Sequence, residues 1–424
     1  MSEADREDQI IQKISASALS RADPKRLGVA VSGGGDSMAL LDVLAAYAES
    51  KSIPISVVTV DHGLRSESVD EAAFVENYCA ATGLSHSILK WEGWHGAGNL
   101  QASARSARYR LMAAWAKERD IDIIALGHTM DDQAETFLMR LARKSGVDGL
   151  AEMDSVFERD GVRWVRPFLD QSRATLRRYL KRRGINWIED PSNDDSQFDR
   201  VKARQALVEL AVLGIDAKTL SSVARNLRSA KRTLESYERF ESERLVGVDR
   251  GDVIISRGPL PHVPFEIERR LINSAIEYVA GGDYAPRWSA IKELDLALIE
   301  ADAHTLAGCL LTQSNPNGKL NRQLRITREY NAVKGFSCLT DALWDGRWSL
   351  DGPHAPDLKV RALGEALKDC PDWRETGLPR PSLLASPSIW RGETLVSAPL
   401  AGLSNGWAAS ATGRGTFAQF LLSR

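Results

Sequence analysis

The chain is poor in cysteine, and the cysteines that it has form no motif. They are Cys79, Cys309, Cys338 and Cys370 in 424 residues, with no Cys-x-x-Cys pair. Such scattered positions argue against a structural zinc site, an iron–sulfur site and a disulfide framework, and they favour a reducing compartment.

Long apolar runs are also missing. No run reaches the roughly 18 apolar residues of a membrane-spanning helix, and the N-terminus is acidic and polar, without an apolar signal region. We therefore expect a cytoplasmic protein that does not contact a membrane.

No charge of one sign dominates the chain, whose formal net charge is −2. Its 43% hydrophobic and 26% charged residues are ordinary for a globular protein. One stretch departs from this balance, because Arg163–Arg183 holds eight basic residues and one acid, Asp170. On a helix, Arg173, Arg177 and Lys181 would share one face. Two interpretations stay open: a solvated helix face, or a surface that contacts nucleic-acid phosphates.

The most informative segment is a glycine-rich run between an apolar stretch and a helical pattern. It reads Ser32-Gly33-Gly34-Gly35-Asp36-Ser37. Glycines let the backbone approach a phosphate closely, and a helix N-terminus offers free N–H groups to an anion. No lysine follows, so this is not the Walker pattern. A glycine-rich turn that only caps a helix is the alternative.

The first two hundred residues alternate between strand-like and helix-like segments. We predict strands at 27–31, 55–60, 85–90 and 121–126, and helices at 37–50, 67–82 and 100–119. Strands separated by crossover helices predict a parallel sheet of the α/β class. The glycine run follows the first strand, at the sheet edge where such folds bind ligands.

The rest of the chain has a different character. Residues 203–245 and 264–312 look mainly helical, with a short apolar strand at 253–255, and tryptophan, proline and glycine accumulate after about residue 331. We therefore predict three domains. They are a catalytic domain at 1–204, a mainly helical domain at 205–330, and a small α+β domain at 331–424.

A second polar segment follows the strand at 121–126. Thr129 is a suitable helix N-cap, and Asp132 and Glu135 would lie on one side of the first turn, near His128. The helix dipole alone favours acids there. Oxygen ligands beside a phosphate site also suit Mg²⁺, so Asp36 and Asp132 are candidate metal ligands.

Further candidates lie on other segments. Asn99 is a suitable cap for a helix that carries Arg105 and Arg108 on one stripe, where they could clamp phosphates or pair with surface acids. His62, in the Asp61–Arg65 segment, could act as a base or only as a hydrogen-bonding loop residue. The acidic run 189–194 reads as a loop, and secondarily as a place that recognises an amine.

Together these segments resemble the tRNA(Ile)-lysidine synthetase family of ATP pyrophosphatases. The likeness is specific over residues 27–204 and thinner beyond. It is carried by 32–37, 61–65, 99–109, 127–136, 146–150, 166–168, 187–193 and 305–309. The resemblance implies a Rossmann-like N-terminal domain of the adenine nucleotide alpha hydrolase type.

The resemblance also implies an activity. The enzyme would use ATP to ligate L-lysine to C2 of the wobble cytidine of a tRNA(Ile) with a CAU anticodon, through an adenylated cytidine, releasing AMP and pyrophosphate. ATP, L-lysine, this tRNA and Mg²⁺ are the expected partners, and a homodimer is left open.

The resemblance assigns roles to particular residues, with ATP bound by the glycine loop (Ser32, Gly33, Gly34, Gly35, Asp36, Ser37). Asp36, Asp132 and Glu135 would hold Mg²⁺ or orient the amine, while Arg105, Arg108 and His128 would stabilise charge on departing pyrophosphate. The expected tRNA contacts are Arg173, Arg177, Lys181, Arg200 and Arg204. One departure is Val201, which stands where the family usually has asparagine, so that side chain's hydrogen bond is not carried over.

Three rival functions remain at this stage. A tRNA thiolase commonly needs catalytic or cluster-binding cysteines, which the scattered four do not suit. A small-molecule ligase of the GMP, NAD or asparagine synthetase kind would turn over without tRNA. A non-catalytic RNA-binding protein would not need Asp36, Asp132 and Glu135.

Overall fold

The computed structural model describes residues 3–63, 67–91, 100–189, 199–257, 263–281, 286, 288–314, 322–412 and 414–422. Several predicted features lie outside these residues: Leu64 and Arg65, the Asn99 cap, and the acidic run from Asp190 onward. The chain divides into two compact units, 1–231 and 232–424. The division into three domains stays a prediction.

The first unit is built on a six-stranded sheet flanked by helices. Its strands are β1 (Leu27–Ala30), β2 (Ile55–Asp61), β3 (Ser85–Lys90), β4 (Ile123–Ala125), β5 (Val156–Arg159) and β6 (Val162–Val165). Its helices are α1 (Glu3–Ala22), α2 (Gly35–Lys51), α3 (Glu67–Thr82), α4 (Leu100–Glu118), α5 (Met130–Ala142), α6 (Val147–Leu150), α7 (Arg173–Arg183) and α8 (Asp199–Leu210). Helix α9 (Ala217–Leu245) runs across the boundary between the units. The predicted α/β class is confirmed, as are the four predicted strands and three predicted helices.

The strand order β3-β2-β1-β4-β6-β5 locates the site. Strand β1 pairs in parallel with β2 on one side and β4 on the other, so the direction of the crossovers reverses between β1 and β4. Ligands of open α/β sheets bind at such a switch point, beyond the carboxyl ends of the strands. The glycine loop follows β1 and the His128 segment follows β4, so both reach this point.

Two hydrophobic clusters hold the sheet between its helices. Leu40 and Leu44 of α2 pack with Val29 in one cluster, and Met112 of α4 packs with Trp164 in the other. All of these side chains are buried. The central strands β1 and β4 are therefore apolar on both faces, as a sheet covered by crossover helices requires.

The second unit contains an antiparallel sheet that the sequence analysis largely missed. Only one strand was predicted at 246–328, but the sheet has five: β7 (Val246–Asp249), β8 (Asp252–Ser256), β9 (Ala303–Leu306), β10 (Cys309–Ser314) and β11 (Gln323–Arg328). Helices α10 (Phe265–Ala280) and α11 (Trp288–Glu300) belong to the same part. Their apolar side chains share a buried cluster with the sheet.

The remainder of the second unit combines short strands and short helices, as predicted for the C-terminal region. The strands are β12 (Cys338–Leu339), β13 (Trp348–Asp351), β14 (Leu358–Ala362), β15 (Pro387–Arg391), β16 (Thr394–Ser397) and β17 (Ala408–Ala411). The helices are α12 (Tyr330–Val333), α13 (Arg380–Leu384) and α14 (Phe417–Leu422). Across the described part of the whole chain, no helix is both long and apolar enough to cross a membrane. The four cysteines are free thiols.

Candidate functional site

The glycine loop is held in shape by its own hydroxyls and by a neighbouring segment. Ser37 Oγ donates to the Gly34 carbonyl at 2.9 Å and accepts from the Ser32 N–H at 3.2 Å. Gly33 has a φ of +85°, and a Cβ there would lie 2.9 Å from Ile188 Cδ1. The Ile188 N–H in turn donates to the Gly33 carbonyl at 2.9 Å. Glycine is therefore favoured at position 33 by its positive φ, and a Cβ there would also displace the end of the Ile188 side chain.

Beyond the loop, α2 begins at Gly35, with Gly34 as its N-cap. The first N–H groups of a helix have no partner within the helix, and the dipole makes this end positive. Gly127, after β4, passes close to the loop, since a Cβ there would lie 3.3 Å from backbone atoms of Asp36 and Ser37. The two switch-point segments thus meet at the start of α2, as a site for phosphate groups requires.

Helix α5 presents the acidic side chains through a capping box. Thr129 is its N-cap, and Asp132 Oδ2 accepts from the Thr129 N–H at 2.8 Å and from Thr129 Oγ1 at 2.9 Å. The predicted cap is confirmed. These two bonds hold the carboxylate of Asp132, and Glu135 follows one turn later with a fully buried side chain.

One guanidinium group contacts all three predicted carboxylates. Arg173 Nε donates to Asp36 Oδ2 at 3.0 Å, and its other nitrogens lie 3.3 Å from Glu135 Oε1 and 3.6 Å from Asp132 Oδ1. The backbone N–H of Arg173 donates to Asp131 Oδ2 at 2.7 Å, which ties the start of α7 to α5. The structure therefore brings Asp36, Asp132 and Glu135 together around a shared cation.

Helix α8 adds two more arginines to this cluster. Arg204 Nε lies 2.6 Å from Glu135 Oε1, and Arg200 Nη1 lies 3.7 Å from Asp132 Oδ1. Val201, at the position of the departure noted above, is buried. Three of the five arginine and lysine side chains expected to contact tRNA are thus paired with the carboxylates, which sequence reasoning did not anticipate.

The other members of the basic stretch are arranged differently. Arg177 lies 3.4 Å from Glu189 Oε1, while Lys181 is exposed on α7. Arg178 and Arg182 pair with Glu7 and Asp8 of α1. A good part of the predicted basic surface is therefore neutralised by acids of the same unit.

Burial and charge set the protonation of these groups. Burial raises the pKa of the Asp36 carboxyl, with the charge of Arg173 opposing the shift. Burial disfavours ionised Asp132, but positive charge at His128, followed by the charges of Arg173 and Arg200 and the Thr129 N–H, lowers its pKa. The three carboxylates raise the pKa of Arg173 against the effect of burial, so this guanidinium stays charged.

A cavity of about 1030 Å³ opens beside the cluster. Its lining includes the loop residues Ser32, Gly34, Gly35, Asp36 and Ser37, together with His62, Arg108, His128 and Arg177. Among the described residues, Arg105 does not line it; its guanidinium lies 5.6 Å from the Tyr109 ring centroid. The structure thus places Arg108 and His128 in the same cavity as the loop, whereas Arg105 lies outside its lining.

Two basic groups in the cavity have depressed pKa values. Burial lowers the pKa of Arg108, and burial together with the charge of Arg108 lowers that of His62. The His62 ring packs edge-on against Trp91, with centroids 6.0 Å apart. A hydrogen-bonding role for His62 fits this neutral, partly buried ring.

The donors available to a metal ion are carboxylate oxygens. Asp36 Oδ1 and Glu135 Oε2 are buried, and neither has a hydrogen-bond partner within the described part of the chain. No group of three or more His, Cys, Asp or Glu side chains among the described residues is arranged to hold a metal by itself. This donor set suits Mg²⁺, which is held by one or two carboxylates together with substrate phosphates.

Arg166 is a residue of the site that sequence reasoning did not select as a candidate. It follows β6 and its Nε donates to His128 Nδ1 at 3.3 Å. The signal that could have found it is its position, because Arg166 comes directly after a strand that ends at the ligand-binding edge.

One family model and several known proteins match this chain. A model of the PP-loop domain matches residues 6–211. The tRNA(Ile)-lysidine synthase of Ruegeria pomeroyi is 49% identical over 392 residues, which is 92% of each chain. That of Wolbachia pipientis wMel is 35% identical over 365 residues, covering 82% of this chain and 84% of that one. Among solved structures, the U34-tRNA thiolase NcsA from Methanococcus maripaludis matches with a TM-score of 0.46 and 17% identity, covering 53% of this chain and 80% of that chain.

Proposed function

Because the chain belongs to the tRNA(Ile)-lysidine synthase family, we propose that it ligates L-lysine to C2 of the wobble cytidine of the CAU-anticodon tRNA(Ile). It is an ATP-using ligase. The observation that carries the proposal is one cavity lined both by the glycine loop and by Asp36 and Asp132, which share Arg173 with the buried Glu135.

The proposed reaction has two steps. The C2 carbonyl oxygen of the cytidine attacks the α-phosphorus of ATP, and the bond to pyrophosphate breaks. The ε-amine of lysine then attacks C2, the C2–O bond breaks, and AMP leaves with that oxygen. The amine must lose its proton to attack, since an ordinary lysine with a pKa of about 10.4 is charged at neutral pH.

The phosphate groups of ATP would lie at the glycine loop and the start of α2. Backbone N–H groups there and the side chain of Arg108 would contact the pyrophosphate portion. Arg105 would add positive charge from outside the cavity lining. Mg²⁺ held by Asp36 and Asp132 would supply further neutralisation of the phosphate oxygens. The unpartnered Asp36 Oδ1 supports this assignment.

Lysine binding would use the carboxylate cluster. An ammonium group requires anionic acceptors, and Glu135 Oε2 is a buried acceptor without a partner among the described residues. Glu135 or Asp132 would then accept the proton of the amine. In the structure Arg173 and Arg204 neutralise these carboxylates, so binding of substrate cations would require the guanidinium groups to move.

The tRNA contacts remain proposals. Arg177 and Lys181 would contact the RNA backbone directly, whereas Arg173, Arg200 and Arg204 could do so after their ion pairs with the cluster open. Release of these arginines from the carboxylates would couple binding of Mg²⁺ and the lysine ammonium to binding of the RNA. A reducing cytoplasm, where this tRNA occurs, is the proposed location.

The test is AMP release from α-labelled ATP with Mg²⁺, with and without L-lysine and the CAU tRNA(Ile) transcript. We expect release that needs both, and labelled lysine that enters the RNA. A transcript with uridine at the wobble position is the matched control and should accept no lysine. AMP formed without RNA would instead indicate a small-molecule ligase, and RNA binding without AMP a non-catalytic protein.

A further inference from the structure

His128 and Arg166 meet because their strands are neighbours. Strands β4 and β6 pair in parallel, with Ala125 opposite Val165, so the residues just beyond each strand reach the same edge. There Arg166 Nε donates to His128 Nδ1 at 3.3 Å. His128 also lines the cavity that the glycine loop borders.

This contact determines the form of the imidazole. A guanidinium group has donors only, so His128 Nδ1 must present a lone pair, and the ring proton must lie on Nε2. The surrounding charges agree with a neutral ring. Burial, Arg166, Arg108 and Arg105 lower the pKa of His128 to about 3, and Asp132 opposes them without reversing the shift.

Arg166 is itself held firmly. Its Nη1 donates to the Asp154 carbonyl at 2.6 Å, and its guanidinium lies 4.1 Å from the Phe157 ring centroid. The residue is only 8% exposed. A donor fixed by a hydrogen bond and an aromatic contact gives the imidazole one orientation rather than several.

We propose that Arg166 is a positioning residue that holds His128 as a neutral imidazole, with Nε2–H as its hydrogen-bond donor to the nucleotide in the cavity. His128 then stabilises negative charge on a phosphate oxygen by donating a hydrogen bond, and it does not transfer a proton as an imidazolium. A neutral imidazole can serve as such a donor where a neighbouring positive charge keeps it deprotonated. The inference rests on the proposed use of ATP.

The direct test is the ¹⁵N NMR spectrum of the full chain labelled in its histidines. The His128 signals are assigned by their loss in His128→Gln. We expect a non-protonated Nδ1 and a protonated Nε2 at pH 7.5. Arg166→Met should abolish this single form, while Arg166→Lys, which keeps a cationic donor, should retain it. A His128 that is cationic, or protonated on Nδ1, in the wild-type chain would overturn the inference.

Kinetics provide the second readout. Arg166→Met should lower kcat for lysine ligation by about 10-fold to 100-fold, the range known for loss of a group that orients a metal-ligating histidine. KM for lysine should change little, and Arg166→Lys should lose less. Arg159→Met is the matched control. Arg159 ends β5, the strand that pairs with β6, and its guanidinium also lies over an aromatic ring, that of Tyr109. This substitution should leave the His128 signals unchanged.

Two further outcomes have clear meanings. If Arg166→Met does not fold, as judged by circular dichroism, Arg166→Gln replaces it, since it removes the cation but keeps a polar side chain, and it should also abolish the single Nε2–H form. If neither variant alters the His128 signals or kcat, the inference is wrong. A wild-type chain with the expected spectrum but no lysine transfer would contradict the proposed function and leave the His128 assignment standing.

Discussion

At the scale of single residues, the site is a group of carboxylates neutralised by arginines. Asp36, Asp132 and Glu135 come from two helices, and Arg173 contacts all three. Buried charges of one sign need partners of the other, because desolvation otherwise makes the charged form too costly. A protein that binds Mg²⁺–ATP and an amine at these carboxylates must replace the arginine guanidinium groups by the metal ion and the substrate ammonium.

Asp36 gives the first prediction. Asp36→Ala should abolish adenylation, because it removes the carboxylate nearest the glycine loop and the proposed ligand of Mg²⁺. The measurement is pyrophosphate release with RNA present. Glu49→Ala, which removes an exposed carboxylate near the other end of α2, is the control for effects on the helix and should keep activity. Normal turnover of Asp36→Ala would mean that the site has been assigned wrongly.

Glu135 gives the second prediction. Glu135→Gln should raise KM for lysine by roughly 10-fold to 100-fold, which corresponds to the 1.5–3 kcal/mol of a hydrogen bond to a charged group. KM for ATP should change little, because the proposed phosphate contacts come from the loop. Steady-state kinetics with each substrate varied in turn provide the measurement. Equal changes in both KM values would argue against a specific role in binding lysine.

At the scale of elements, hairpins explain which parts of the fold the sequence did not reveal. Two-residue turns with positive φ at both positions join β7 to β8 at Arg250-Gly251 and β9 to β10 at Ala307-Gly308. Such turns match the twist of a hairpin, but their usual signature is Asn-Gly or Asp-Gly. Arginine and alanine at the first position hide that signature, so the five-stranded sheet was read as mainly helical.

The same comparison explains the parts that were predicted. Strands β1, β2 and β4 are apolar runs buried on both faces, and α2 and α4 carry helical spacing between them. These patterns are local and strong. Strands β5 and β6 were missed although Asp160-Gly161 is a direct hairpin signal, because the charged residues Glu158, Arg159 and Arg163 interrupt their apolar pattern.

The glycine loop gives a prediction at this scale. Gly33→Ala should destabilise the protein by about 1–2 kcal/mol, the cost of a left-handed conformation for an L-residue, and should weaken ATP binding as Ile188 is displaced. Urea unfolding and equilibrium binding of ATP are the measurements.

Gly34→Ala is the matched control for Gly33→Ala. Its φ is −71°, and the nearest atom to an added Cβ is Ser32 Oγ at 3.7 Å. The stability of Gly34→Ala should therefore stay close to wild type, whatever its effect on ATP binding. Equal destabilisation by both substitutions would contradict the conformational explanation.

At the scale of the whole molecule, partly buried histidines link stability to pH. The pKa of folded His128 is lowered from 6.5 to about 3, and burial also lowers the pKa values of His62 and His86. Between these limits the three histidines bind more protons in the unfolded chain than in the folded one, so their contribution to stability falls as the pH falls. The lowered pKa of Asp132 extends the loss below pH 3.8.

Denaturant unfolding at pH 7.5, 6.5, 5.5 and 4.5 tests this linkage. His128 alone contributes a slope of up to about 1.4 kcal/mol per pH unit below pH 6.5. His128→Gln should therefore lose stability less steeply on acidification than wild type. The difference between the two proteins at pH 7.5, where both side chains are neutral, gives the cost of the substitution itself. Parallel pH profiles would show that folded His128 titrates normally.

By itself, the sequence determined the class of the first unit, the glycine-rich turn before α2, the α5 cap and the family, because each depends on residues close together in the chain. Only the tertiary structure decided which cation faces which carboxylate. Arg173, Arg200 and Arg204 looked like surface residues along the chain, yet packing of α7 and α8 against α5 directs them to Asp132 and Glu135. The contact of Arg166 with His128 likewise depends on the pairing of β4 with β6. Such contacts join residues that are far apart in sequence. They depend on how the elements pack, which local sequence patterns do not determine.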